Sequence, residues 1–151
     1  MSTNASQPIS SVAGRTAQTA RFAPRSLPRV ALVAALAAVV ANLALWAIAR
    51  GPLGVSPAFP PLQSAAATVA AGVVGILAAT AAFALIRRLA PRPVAAFRVV
   101  AVVALLLSLG GPMSARAEPG GSGGAVAVLV AMHVVTAVIA VGLLPRAARE
   151  G

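Results

Sequence analysis

Twenty consecutive residues, Val30 to Ala49, carry no charge and only one amide side chain, Asn42. At a helical rise of about 1.5 Å per residue this run reaches about 30 Å, the hydrocarbon thickness of a bilayer. Three more apolar runs follow, at about 65–86, 94–111 and 125–144. Inside hydrocarbon every backbone amide and carbonyl has to be paired within its own segment, so each run is expected as a helix. Of the 151 residues, 60% are hydrophobic and only 9% are charged. A soluble domain carries about a quarter of its residues charged to cover its surface. The expected fold class is therefore all-α: a polytopic membrane protein, a bundle of four transmembrane helices.

The segments between the runs read as loops and tails. Residues 1–29 are polar, rich in small residues and basic, and contain no acid. They bury too little apolar surface to offset chain entropy and are expected as a disordered basic tail. An organellar transit peptide is the alternative for such an acid-free start. Ala47-Ile48-Ala49 resembles a signal-peptide cleavage site. The apolar run before it, however, exceeds the usual ~7–15 residues, and an uncleaved helix is expected. Trp46 near the end of this span suits the headgroup level. Residues 51–63 hold Pro52, Pro57, Pro60 and Pro61, and proline stops helices. Residues 112–124 are expected as a Gly/Pro/Ser loop and 147–151 as a short tail, leaving 30–146 as the transmembrane domain.

The third span is the weakest by length. Its uncharged stretch, Val99 to Gly111, has 13 residues. About 17–25 are needed to cross. Starting at Val94 restores the length and places Arg98 in the second turn, from where its apolar stem lets the guanidinium reach back to the interface. Arginine placement supports four crossings. One side then holds Arg15, Arg21, Arg25, Arg29, Arg87, Arg88, Arg92, Arg98, Arg146 and Arg149, and the other only Arg50 and Arg116. Positive residues stay cytoplasmic, so both termini are expected in the cytoplasm of a cell with this protein in its plasma membrane.

Between helices in lipid, small residues and hydrogen bonds supply the association. In span two, Thr68, Ala71, Gly75, Ala79 and Ala82 share a face, and Ala71, Gly75 and Ala79 form a small-xxx-small series expected to pack. Ile76, Leu77 and Phe83 lie opposite, toward lipid or larger grooves. In span one, Ala31, Ala35, Ala38, Asn42 and Ala49 make the expected inner face, with Val33, Leu36 and Val40 outside.

Polar groups inside the membrane are the default functional candidates. Asn42 and His133, the sole histidine, come to nearly equal depth when counted from the span ends, about 2 Å apart at the helical rise. An Asn42–His133 hydrogen bond is the expected intramembrane polar pair. It serves either to fasten two helices or as a proton-linked or ligand-binding site, imidazole being the side chain that changes charge near neutral pH. Haem ligation is a further reading, with one axial ligand per chain. Ser108 and Thr80 read as hydroxyls bonded to their own backbone.

Several function classes drop out. The net charge of +10 comes from arginines in flanks and loops without interleaved aromatics, which does not make a nucleic-acid surface. Without cysteine there is no disulfide, thiolate metal site or cysteine nucleophile. Glu118 and Glu150 are the sole acids and lie outside the spans, so no paired-carboxylate site forms. No catalytic, metal or cofactor site is expected, and no enzymatic activity.

Three stretches carry a resemblance: ANLALWAIAR, FRVVAVVALLLSLGGPM and AMHVVTAVIAVGLLPR, including Met132-His133 and Leu144-Pro145-Arg146. Over roughly residues 30–146 the chain resembles a family of small four-helix integral membrane proteins of high-GC Gram-positive (actinobacterial) bacteria, a domain of unknown function. The resemblance implies the topology and no chemistry. The expected role is a non-enzymatic interaction or structural component, meeting the lipid bilayer, a second copy of itself or a membrane partner protein. A small oligomeric transporter or channel subunit is the alternative, and a ligand- or haem-binding protein using His133 the second.

Overall fold

The computed structural model describes residues 26–148. Most of the basic tail, with Arg15, Arg21 and Arg25, lies outside the described residues, as do Arg149 and Glu150. Among the described residues there is no strand. Helix α1 runs Ser26–Arg50, α2 Ala65–Leu89, α3 Pro93–Ser108, α4 Gly110–Ser114 and α5 Gly123–Leu143. Short 3-10 turns follow α4 and α5, at Ala115–Ala117 and Leu144–Ala148, and another, Pro60–Leu62, precedes α2. Four helical segments are long and apolar enough to cross a membrane: Ser26–Arg50, Ala65–Leu89, Pro93–Ala117 and Gly123–Ala148. The protein is a four-helix bundle and a multi-pass membrane protein.

The helix starts follow from capping. Ser64 and Ser122 each accept a hydrogen bond from the backbone N–H three residues on, Ala67 and Ala125, at 3.1 Å. Such a cap satisfies one of the four free amides of a first turn and contributes about 1 kcal/mol. It starts α5 two residues before the apolar run does. Helix α1 also begins early, at Ser26, so the last four residues of the expected tail are helical. There the Ser26 hydroxyl donates to the Ala147 carbonyl at 3.1 Å, tying the start of α1 to the turn after α5.

The third crossing is longer than its uncharged stretch. Pro93 opens α3, where its missing N–H costs nothing, and Arg98 in the second turn is exposed. At the far end Pro112 has no N–H for the Ser108 carbonyl, and its ring crowds that oxygen. The α-helix is interrupted at Leu109, yet it resumes, with Met113 N–H donating to the Leu109 carbonyl at 3.1 Å. Residues 112–117, expected as loop, are thus helical, and the loop begins at Glu118.

Helix α1 packs between α2 and α5, and α3 covers the other side of the α2–α5 pair. Two apolar clusters form the core. At the arginine-rich end Ala34, Ala38, Ile76, Phe83, Phe97, Ala140 and Leu144 pack together. At the opposite end Ala49, Val55, Phe59, Leu62, Ala115, Ala125 and Met132 do. Val55, Phe59 and Leu62 come from the proline-rich connection, which folds in as a cap. Trp46, expected at the headgroups, is half-buried under that cap, and its indole N–H donates to the Leu62 carbonyl at 3.0 Å. Gly120, at φ 74°, sits against Ser56 of the cap, where a Cβ would come within 2.8 Å of the Ser56 Cβ.

The packing face of α2 differs from the expected one. Its buried residues are Thr68, Gly72, Ile76 and Phe83. Of the anticipated stripe, Ala71 is exposed and Gly75 and Ala79 are half-buried, while Ile76 and Phe83 belong to the core. The helix is turned by about one residue because Gly72, with no side chain, is what fits against Asn42. For α1 the buried residues are Ala34, Ala38, Asn42 and Ala49, with Val33, Leu36 and Val40 exposed as expected.

Candidate functional site

Between the two apolar clusters lies a polar layer. Asn42 is its centre, at 3% exposure. Helix α1 delivers it on the same face as Ala34, Ala38 and Ala49, and Gly72 of α2 leaves the space it fills. A Cβ at Gly72 would stand 2.9 Å from Asn42 Nδ2. The amide donates from Nδ2 to Thr136 Oγ1 on α5 at 3.0 Å. Asn42 Oδ1 is buried without a hydrogen-bond partner. A carbonyl left unpaired in an apolar setting costs about 1–3 kcal/mol, so the structure keeps a strained acceptor at this level.

The anticipated Asn42–His133 bond is not formed. Asn42 is bonded to Thr136, nearly one turn further along the same helix. His133 Nδ1 instead lies 2.8 Å from the carbonyl of Leu129, four residues back on its own helix. A carbonyl only accepts, so Nδ1 carries a proton, and in the neutral imidazole Nε2 is then the acceptor. His133 therefore fastens no neighbouring helix through this bond. Depth alone did not reveal the pairing, because at this level Thr136 is the residue whose side chain meets Asn42 while His133 turns to its own helix.

A cleft of about 680 Å³ opens beside this layer. Its walls are α2, α3 and α5, and Asn42 of α1 lies at its floor. Ala71, Gly75 and Ala79 line the α2 wall, Ala101, Ala104 and Ser108 the α3 wall, and His133 and Thr136 the α5 wall. The small residues marked for helix packing thus border space as much as they close contacts. Gly75 still brings α2 near α5, since a Cβ there would lie 3.3 Å from Thr136 Cγ2. Phe97 bounds the cleft at the arginine-rich end, and Pro61 borders the other.

Two of the three hydroxyls around the cleft, those of Thr68 and Ser108, are bound to backbone. Thr68 donates to the Ser64 carbonyl at 3.3 Å and Ser108 to the Leu105 carbonyl at 2.7 Å. Thr80, outside the cleft, donates to the Ile76 carbonyl at 2.7 Å. Among the described residues no three His, Cys, Asp or Glu side chains gather as a metal site would need. The cleft offers an amide, an imidazole and a hydroxyl on apolar walls, an arrangement that can orient a molecule by hydrogen bonds.

Gly72 was missed as a site residue, while Thr68 was expected on the packing face and is buried there. The signal for Gly72 was the i, i+4 spacing 68-72-76, as regular as that of 71-75-79. Only the bulk of Asn42 on the facing helix distinguishes the two.

Comparison with curated proteins and with solved structures gives no match. The family model described as a family of unknown function, DUF6069, matches residues 22–150, most of the chain, and the chain belongs to that family.

Proposed function

We propose that this is a non-enzymatic membrane protein that meets its partner molecule inside the bilayer, in the cleft between α2, α3 and α5. The cleft carries this reading: it lies at the depth of Asn42 and His133 and has the size of a small-molecule pocket, about 300–1,000 Å³. Its polar side chains include no carboxylate and no nucleophile–base pair, which supports binding over turnover. With ten arginines on one side and two on the other, both termini belong in the cytoplasm and the protein in the plasma membrane.

Absence of cysteine makes the native chain a clean background for single-cysteine labelling. An impermeant maleimide is expected to label Gln63→Cys in intact cells and Ala90→Cys only after permeabilisation. The reverse pattern would overturn the orientation. For the cleft, Ala104→Cys is compared with Leu107→Cys, an exposed residue outside the lining. A membrane-soluble maleimide in native membranes is expected to label position 104 several-fold more slowly than 107, and purification in detergent to remove most of the difference. Equal labelling in native membranes would mean that nothing occupies the cleft.

A further inference from the structure

We propose that the cleft binds an elongated, lipid-soluble molecule bearing a hydroxyl group, held by His133 and Thr136. The inference rests on the reading of the cleft as the binding site and names what enters it.

Shape decides the body of the ligand. Along α2 the lining runs from Ala67 to Ala82, about 22 Å at the helical rise. A volume of about 680 Å³ over that length leaves a mean cross-section of about 30 Å² for atom centres, a passage about 9 Å wide between wall surfaces. Carbon atoms pack at about 3.5–4.0 Å, so one hydrocarbon chain fits. A partner helix, about 10–12 Å across with its side chains, does not.

Hydrogen-bond inventory decides the head. His133 Nε2 is an acceptor, because Nδ1–H is committed to the Leu129 carbonyl. Thr136 Oγ1 accepts from Asn42 and donates no hydrogen bond among the described residues, so its proton is free to donate. Residues three apart share a helix face, and both side chains line the cleft. One acceptor and one donor a single turn apart match a hydroxyl, which gives a proton to His133 and receives one from Thr136. A ketone or ester lacks the proton, and a plain hydrocarbon lacks both. Asn42 acts as a positioning residue: its Nδ2–H occupies one Thr136 lone pair and turns the Thr136 proton away from α1. The unpartnered Oδ1 of Asn42 adds a second acceptor to this layer.

The test uses the full chain in lipid nanodiscs, with hexadecanol and hexadecane as the probes, read by native mass spectrometry and by thermal shift. Hexadecanol is expected to bind and raise the Tm. Hexadecane of the same length is expected to bind at least tenfold more weakly. His133→Phe, which keeps the bulk and removes the acceptor, is expected to erase the preference. His133→Gln, which restores a carbonyl acceptor, is expected to recover part of it. Ala104→Leu, which narrows the cleft away from the polar layer, is expected to weaken both probes. Equal binding of the two probes, lost in Ala104→Leu but unaffected by His133→Phe, would leave the cleft reading standing and overturn the hydroxyl. Binding of neither probe, or binding indifferent to Ala104→Leu, would overturn the site itself. Misfolding of a variant is excluded by an unchanged Trp46 emission spectrum, which reports the capped end, together with an unchanged distance between spin labels at Leu85→Cys and Leu107→Cys, which reports the α2–α3 wall.

Discussion

Gly72→Leu is expected to be among the most damaging single substitutions in the bundle. A bare Cβ at this position already meets Asn42 Nδ2 at 2.9 Å, closer than real Cβ atoms approach. The leucine therefore has to push α2 off α1 or displace the amide. Overpacking of this kind costs about 1–3 kcal/mol. Displacing the amide also breaks the Asn42–Thr136 bond, and such bonds contribute about 0.6 kcal/mol on average in membrane proteins. The sum, about 2–4 kcal/mol, corresponds to a Tm lower by about 5–15 °C for a chain of this length. Gly72→Ala is expected to show a smaller loss that Asn42→Ala, combined with it, largely reverses. Gly111→Ala is the control: nothing lies within 4 Å of its Cβ position, so it is expected to be neutral or slightly stabilising. Equal losses from Gly72→Leu and Gly75→Leu would mean that Asn42 does not set the register of α2.

The same contact shows where sequence reasoning stops. Four crossings, their order and the arginine asymmetry follow from run length and charge, and the helices stand where the runs do. The face of α2 did not follow. In water an amphipathic pattern points one face inward, but in lipid the outside of a helix is as apolar as its inside. The stripes 68-72-76 and 71-75-79 are equally plausible on α2 alone. Only Asn42, a bulky side chain on another helix, selects the one that presents Gly72. The Asn42–Thr136 bond escaped for a related reason. Depth says only which residues are level; which of His133 and Thr136, one turn apart on α5, faces Asn42 depends on how α5 is rotated against α1. Pro112 illustrates the opposite error: its presence suggested a loop, yet proline removes only one donor and the chain continues helical beyond it.

Phe97→Ala is expected to free α3 while leaving the other three helices associated. Phe97 is the one buried residue of α3, and its ring lies 4.9 Å from that of Phe83 on α2, tilted by 57°. Arg87 adds its guanidinium 5.9 Å from the Phe83 ring. In a membrane the detached helix still finds lipid around its apolar side chains, so the water-transfer part of the loss disappears. What remains is the cavity, about 100 Å³ for phenylalanine to alanine, or about 2–2.5 kcal/mol at about 24 cal/mol per Å³. The aromatic pair adds about 0.5–1.5 kcal/mol. On α1 or α5 several buried neighbours would share such a loss. On α3 it falls on the one deep anchor, at the end of the cleft where the two connecting prolines hold the turn. Spin labels at Ala104→Cys and Leu85→Cys are expected to give a single distance in the native background and a broad distribution with Phe97→Ala. The thermal transition of Trp46, whose surroundings come from α1, α5, the capping loop and Ala115 at the far end of the third crossing, is expected to shift by less than about 2 °C, because Phe97 itself lies outside its cluster. A Trp46 transition that falls together with the loss of the α2–α3 distance would show that the four helices unfold as one unit. The cleft would then be a fixed cavity, with no independent movement of α3 to admit a ligand.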